Sequence, residues 1–168
     1  MLFRSKSETS KAFKLNAKTN GNGKLTYTTS NKAVATVDAA GKVTVKGLGV
    51  AKITVKAAAT TDYKAASKTV TVTVAPKKQS ISLVNKIKKQ LTIKWKKNTK
   101  ASGYQVVYST NKKFTGKKTV RKAKTTTSYK IKGLKKGKKY YVKVRSYKTV
   151  NGKRIYGAYS TAKKATIK

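Results

Sequence analysis

The sequence predicts an all-β protein built as two tandem antiparallel β-sandwiches. Three observations point there. Apolar residues alternate with lysine or threonine in short runs, as in Val70, Val72 and Val74 between threonines, or Leu91, Ile93 and Trp95 between Thr92, Lys94 and Lys96, which is the period of a half-buried strand. Turn signals punctuate these runs, among them Asn20-Gly21-Asn22-Gly23, Asp38-Ala39-Ala40-Gly41 and Asn151-Gly152. The single proline lies in Ala75-Pro76-Lys77-Lys78-Gln79 and marks a boundary that divides 168 residues into two small domains. With no cysteine, each core must hold by packing alone. No apolar run approaches the ~18 residues of a membrane-spanning helix.

In chain order, Met1–Ser5 has an apolar pair and an arginine but no apolar h-region, so it does not read as a signal peptide. Residues 1–10 are expected to be disordered or non-native, as in a gene fragment that begins inside a domain; Leu-Phe-Arg-Ser is similar to a translated sequencing adapter. The first sandwich is expected over residues 11–75. Phe13 and Leu15 share a face, Leu25 and Tyr27 follow the Asn-Gly repeats, and Val34–Val37 is a short β-branched run. Val43 and Val45 follow the Asp38 turn, and Gly47-Leu48-Gly49 turns the chain into Val50–Val55. Ala57–Ala66 is rich in alanine, the best helix former, yet is expected as a loop with at most one turn. Ser67–Val74 closes the sandwich.

Residues 76–79 are expected as a linker and 80–168 as the second sandwich. Ile81 and Leu83 open it, and strand parity turns Trp95 inward, as it does Tyr104, Val106 and Tyr108, while Gln105, Val107 and Ser109 face out. A loop is expected over 111–118, then strands over 119–122 and 125–131. Gly133 and Gly137 bracket a turn into Tyr140, Val142 and Val144, which alternate with Tyr141, Lys143 and Arg145. Asn151-Gly152 predicts a hairpin, and residues 156–167 a final strand broken near Gly157.

The stretch Tyr27-Thr-Thr-Ser-Asn-Lys-Ala-Val34-Ala-Thr-Val37-Asp38-Ala-Ala-Gly41-Lys-Val43, with Gly49-Val-Ala51-Lys-Ile53-Thr-Val55, resembles a bacterial immunoglobulin-like domain of group 2 over Lys11 to Val74. Tyr27 stands where that family often has tryptophan and Asn31 where it often has aspartate. The first strand that the family would place upstream is weak or absent, which would leave a sheet edge open. Leu134 followed by Tyr140 resembles the tyrosine corner of a fibronectin type III domain, in which the phenol bonds back to the turn's backbone. Trp95 resembles that family's core tryptophan, and the resemblance covers Ser80 to Lys168. Trp95, Tyr104, Leu134 and Tyr140 are therefore expected to be structural. No Arg-Gly-Asp occurs, so integrin recognition is not implied. The two resemblances imply a non-catalytic stalk or adhesion module of a secreted bacterial surface protein, extracellular or cell-wall associated.

Forty-three lysines and arginines face three acidic side chains, with no histidine, for a formal net charge of +40. Glu8, Asp38 and Asp62 are too few and too scattered for a catalytic pair or a hard-metal cage, and histidine and cysteine chemistry is absent. No enzymatic activity, metal or cofactor is expected. Asp38 and Asp62 read as turn residues, so no isopeptide crosslink, which needs a buried acid between lysine and asparagine, is expected either. Anionic cell-wall polymers are the expected partners, bound diffusely by a monomer, and nucleic acid would bind in vitro. Two alternatives are a dedicated polyanion-binding protein, for nucleic acid or sulfated glycan, and a carbohydrate-binding accessory module of a larger enzyme. If one patch is more than scaffold, it is Tyr141, Lys143, Arg145 and Tyr147, where cations interleave with rings on the outer face of one strand.

Overall fold

The computed structural model describes residues 2–168, and the chain divides into two compact units, Met1–Ala75 and Pro76–Lys168. The first contains β1 (Leu2–Ser7), β2 (Phe13–Lys14), β3 (Leu25–Thr29), β4 (Ala35–Val37), β5 (Lys42–Val45), β6 (Gly49–Ala57) and β7 (Ala66–Ala75). They form a four-stranded sheet in the order β1-β7-β6-β3 and a three-stranded sheet in the order β2-β5-β4. The valine and isoleucine positions of the alternating runs meet between them: Val43, Ile53, Val72 and Val74 are fully buried. The alanine-rich stretch between β6 and β7 is irregular rather than helical.

The expectation of a disordered segment over residues 1–10, and of a weak or absent first strand, is corrected at Leu2–Ser7. Leu2–Ser7 is β1, paired in parallel with β7 in the register Leu2 to Val70 through Ser7 to Ala75. It is an edge strand, held by ladder hydrogen bonds to a partner some 68 residues away in sequence, and so it needs no apolar alternation of its own. Arg4 and Lys6, in register with the core valines Val72 and Val74, reach over the Phe13 ring at 5.3 and 4.3 Å. Cations on an edge strand also blunt it against pairing with another chain.

Asp38 is the turn residue the sequence indicates. Its Oδ1 accepts hydrogen bonds from the amides of Ala40 at 3.0 Å and Lys42 at 2.9 Å. Gly41 closes this turn at a φ of +74°, where a Cβ would lie 2.8 Å from the Tyr27 ring. Both the backbone and the close ring demand glycine there.

The second unit contains β8 (Ile81–Val84), β9 (Leu91–Trp95), β10 (Gly103–Ser109), β11 (Lys118–Ala123), β12 (Ser128–Ile131), β13 (Lys139–Val150), β14 (Lys153–Tyr156) and β15 (Lys163–Thr166). One sheet has the order β12-β9-β8; the other runs β11-β10-β13-β14, with β15 also paired to β13. The Gly133–Gly137 corner thus carries the chain from one sheet to the other. The Tyr140 hydroxyl at this corner accepts a long hydrogen bond, 3.4 Å, from the Lys135 amide. Trp95 and Tyr104 are buried with ring centroids 5.4 Å apart, and the Tyr104 hydroxyl accepts from the Asn98 amide at 2.6 Å. Leu134 and Tyr140 are buried in the same core.

The final strand is interrupted where glycine appears. β14 pairs with the C-terminal part of β13 and β15 with its N-terminal part. Between them the Gly157 amide bonds the Ser146 carbonyl at 2.9 Å, and Ser160 both donates its amide to Val144 and accepts the Val144 amide on its Oγ. Residues 76–79, expected as a linker, belong to the second unit. Pro76 is fully buried, and Gln79 donates to the Ser146 Oγ at 3.2 Å. A Cβ on Gly157 would stand 2.4 Å from the Pro76 carbonyl oxygen.

Gly157→Ala is therefore expected to destabilise the second unit by about 1–3 kcal/mol, the usual cost of forcing an atom into packed structure. Urea unfolding followed by fluorescence of Trp95, the only tryptophan, checks this; an unchanged midpoint would refute the close approach.

Candidate functional site

Four residues of β13, Tyr141, Lys143, Arg145 and Tyr147, are half-buried and alternate with buried Val142, Val144 and Ser146. They lie on the outer face of the β11-β10-β13-β14 sheet. Arg145 pairs in register with Gln105 of β10, and Lys143 with Val107. Tyr147 stands opposite Tyr156 of β14. Tyr141 lies at one end of this row, between Ser109 and Lys164.

The outward residues of β10 are not open to solvent as their parity predicts. Gln105 and Ser109 are buried and Val107 is completely so. Side chains close over this side of the sheet in a continuous stack. Lys143 Nζ sits 4.0 Å from the Phe114 centroid and 4.5 Å from that of Tyr159. The Arg145 guanidinium lies 4.3 Å from Tyr159 and 3.8 Å from Tyr156. Tyr156 packs on Tyr147 at 5.7 Å, and Arg154 lies 5.4 Å from Tyr147. Beneath the stack, Gln105 Oε1 accepts from Arg145 Nε at 2.6 Å and from the Tyr159 hydroxyl at 3.0 Å.

Composition explains the stack. Acidic side chains are almost absent, and the second unit has none, so a ring face is the main stabilising partner left to a half-buried cation. Such contacts occur about once per 70–80 residues in ordinary proteins; eight are present among the described residues here. One consequence is chemical. Tyr159 and Tyr156 are already engaged by Lys143, Arg145 and Tyr147, so a base or sugar could stack on them only by displacing the protein's own groups.

Three members of the stack escape sequence reasoning. Tyr156 and Tyr159 are three residues apart, and a continuous strand would put them on opposite faces; the break at Gly157 brings both to one side. Phe114 lies in the loop after β10 at a φ of +61°, a conformation nothing in a bulky aromatic residue announces. Three of the four arginines, Arg121, Arg145 and Arg154, are in strands of this sheet. Among the described residues no cluster of histidine, cysteine or acidic side chains could hold a metal ion, and no helix is long and apolar enough to cross a membrane.

Two β-sandwiches in tandem, the second with its strand order, tyrosine corner and buried tryptophan, define a class of protein assembled from immunoglobulin-like and fibronectin-like domains. The chain belongs to the fibronectin type III family, whose model matches residues 74–161, and residues 9–60 match the immunoglobulin-like domain of intimin. The first match is thus to an intimin-type domain, in the immunoglobulin-like then fibronectin type III order that the sequence indicates. No curated protein matches the chain. Similar solved structures include the chicken CNTN1 FN1–FN3 domains, at 18% identity and a TM-score of 0.49, over 77% of this chain and 48% of that one. The chain therefore spans about half the length of that structure. Others are a computer-redesigned β-sandwich protein, at 15% identity and a TM-score of 0.43 over 52% of this chain and 85% of that one, and the sixth fibronectin type III domain of human fibronectin type III domain containing protein 3. The last is 16% identical, with a TM-score of 0.45 over 54% of this chain and 83% of that one. Domains of these two kinds fit a non-catalytic cell-surface or adhesion-type module.

Tyr159→Ala removes a ring shared by two cations and is expected to cost the second unit about 2–3 kcal/mol, on the scale of two desolvated cation–π contacts and a hydrogen bond. Tyr159→Phe keeps the ring and loses only the bond to Gln105, about 1 kcal/mol. Equal losses in urea unfolding would show that the ring–cation contacts contribute nothing.

Proposed function

We propose that the chain is a non-catalytic stalk or adhesion module of a secreted bacterial surface protein, and that its second domain attracts anionic polymers by diffuse electrostatics. The observation that carries this reading is the distribution of charge: residues 76–168 hold 30 of the 43 lysines and arginines and no acidic side chain. All three acidic side chains are in the first unit, so no acidic side chain neutralises the field of the second from within.

The kind of cation supports diffuse rather than sequence-specific contact. Twenty-seven of those 30 are lysines, hydrated point charges without the planar fork that reads carboxylates and bases. Strands present them in the polar positions of alternating runs, spread over the surface. A polyanion such as a wall phosphate polymer gains by releasing its condensed counterions, whatever its chemistry. Nucleic acid would be held in vitro by the same attraction. Repulsion between copies of net charge +40 favours a monomer. The aromatic–cation face of Tyr141, Lys143, Arg145 and Tyr147 contributes charge to this field, with its rings serving the fold.

Affinities for poly(glycerol phosphate), heparin and single-stranded DNA, measured between about 50 and 300 mM salt, test the reading. All are expected to fall steeply, with a log–log slope of roughly 0.7–0.9 per neutralised phosphate for the nucleic acid, and a neutral polymer should not bind. Failure of every polyanion to bind at the lowest salt would overturn it.

A further inference from the structure

Within this diffuse field one place gathers more lysines than neighbouring clefts, such as those lined by Lys78 and Lys163 or by Lys94 and Lys96. At the corner end of the second domain a cleft of about 460 Å³ is lined by Thr110, Lys135, Lys138, Lys139 and Tyr140. An adjoining cleft of about 240 Å³ shares Thr110, Lys135 and Tyr140 and adds Lys118, Lys132 and the Tyr108 side chain. Five lysines thus surround one concavity. They come from two directions: the turn between β12 and β13, where five of the eight residues 132–139 are lysine, and the start of β11.

We propose that this cleft is a seat for the phosphate groups of an extended phosphodiester polymer; the proposal rests on the polyanion-binding reading above and names where that binding is strongest. A concavity lined by one sign of charge focuses the field that a flat face lets spread into solvent. The corner holds its lysines together against their mutual repulsion because Gly133 and Gly137 adopt φ of +67° and +73°, which folds the turn back between the two sheets. Nothing lies within 4 Å of where a Cβ would stand on either glycine, while the amides of Leu134, Lys135, Gly137 and Lys138 are bonded within the protein, so it is the lysine side chains that meet a ligand. A phosphate that enters relieves repulsion already present in the folded protein.

The chemistry of the lining selects among anions. It contains no arginine, so it lacks the fork that grips a planar carboxylate by two parallel bonds. The Tyr140 ring is buried in the core and offers no face for a base or sugar. What remains is a set of ammonium groups, the hydroxyl of Thr110 and that of Tyr108, all suited to compact, multiply accepting oxyanions along a backbone. Burial, and then the neighbouring Tyr129 and Tyr140 phenols, push the Tyr108 hydroxyl above its ordinary value, so it remains a neutral donor. The rival location, the outer face of β13, is poorer, because Lys143 and Arg145 would have to leave rings and Gln105 to serve a ligand. Lys135, Lys138 and Lys139 are exposed and carry no such contacts to break.

Two triple variants of the full chain with the same loss of charge test the proposal. K135Q/K138Q/K139Q removes three of the cleft's five lysines, whereas K97Q/K124Q/K130Q removes three exposed lysines around β9 and β12 that do not line it. Poly(glycerol phosphate) and oligothymidylate serve as two sources of phosphodiester, heparin as the sulfated contrast, and Trp95 fluorescence confirms folding. At about 100 mM salt the cleft variant is expected to lose about tenfold in affinity for a phosphodiester polymer, and its salt slope on oligothymidylate to fall by about 2, three lysines at roughly 0.7 each. The other triple should lose less than about threefold. A loss confined to one of the two phosphodiesters supports the seat and identifies its source. Equal losses in the two triples overturn the cleft and leave the diffuse reading standing; no binding by the parent protein overturns that reading itself. A loss on heparin as large as on the phosphodiesters overturns the choice of phosphate.

Discussion

A cation in this protein has almost nothing of opposite charge to meet. That scarcity governs where every lysine and arginine can go. Most stand out in water at the polar positions of their strands, where hydration and salt soften their repulsion. Those drawn toward the protein settle on aromatic faces instead: Lys6 on Phe13, Lys122 on Tyr129, and Lys143 and Arg145 among Phe114, Tyr159 and Tyr156. A ring costs little to desolvate beside an ion and needs no charge of its own, so it can replace the carboxylates that other sandwiches use. The cores beneath are built mainly of apolar side chains, with Ile53, Leu91, Ile93 and Val144 fully buried.

The second domain sorts its charges by this rule. Over the β11-β10-β13-β14 sheet the cations are locked into a stack that also seals Gln105 and Val107 from water, so this face is structure first. At the corner, the lysines of residues 132–139 are exposed and none lies over a ring among the described residues. The interrupted last strand serves both ends: it carries Tyr156 and Tyr159 to the same side, and its gap accommodates Pro76 and Gln79. One glycine therefore couples the start of the domain to its outer face.

Much of the fold could be read from alternation. Val70, Val72 and Val74, or Leu91, Ile93 and Trp95, admit only one face toward a core, and the glycines at 41, 133 and 137 announce turns whose φ is positive. β1 was hidden because an edge strand paired in parallel with β7 draws its stability from a distant backbone, and its positions in register with Val72 and Val74 carry Arg4 and Lys6. The candidate face was half legible. Parity placed Tyr141, Lys143, Arg145 and Tyr147 together, but the covering of Gln105 and Val107 depends on Phe114 in a loop and Tyr159 beyond a strand break, neither of which obeys a period.

The parallel pairing of β1 with β7 has a mechanical consequence. Tension applied at the two ends of the first unit pulls Leu2 and Ala75 in opposite directions along strands that run side by side. The ladder's evenly spaced bonds are then loaded together in shear, so they must fail as a group, whereas a hairpin opened from its end parts one rung at a time. A unit built this way resists stretching far better than its thin core would imply.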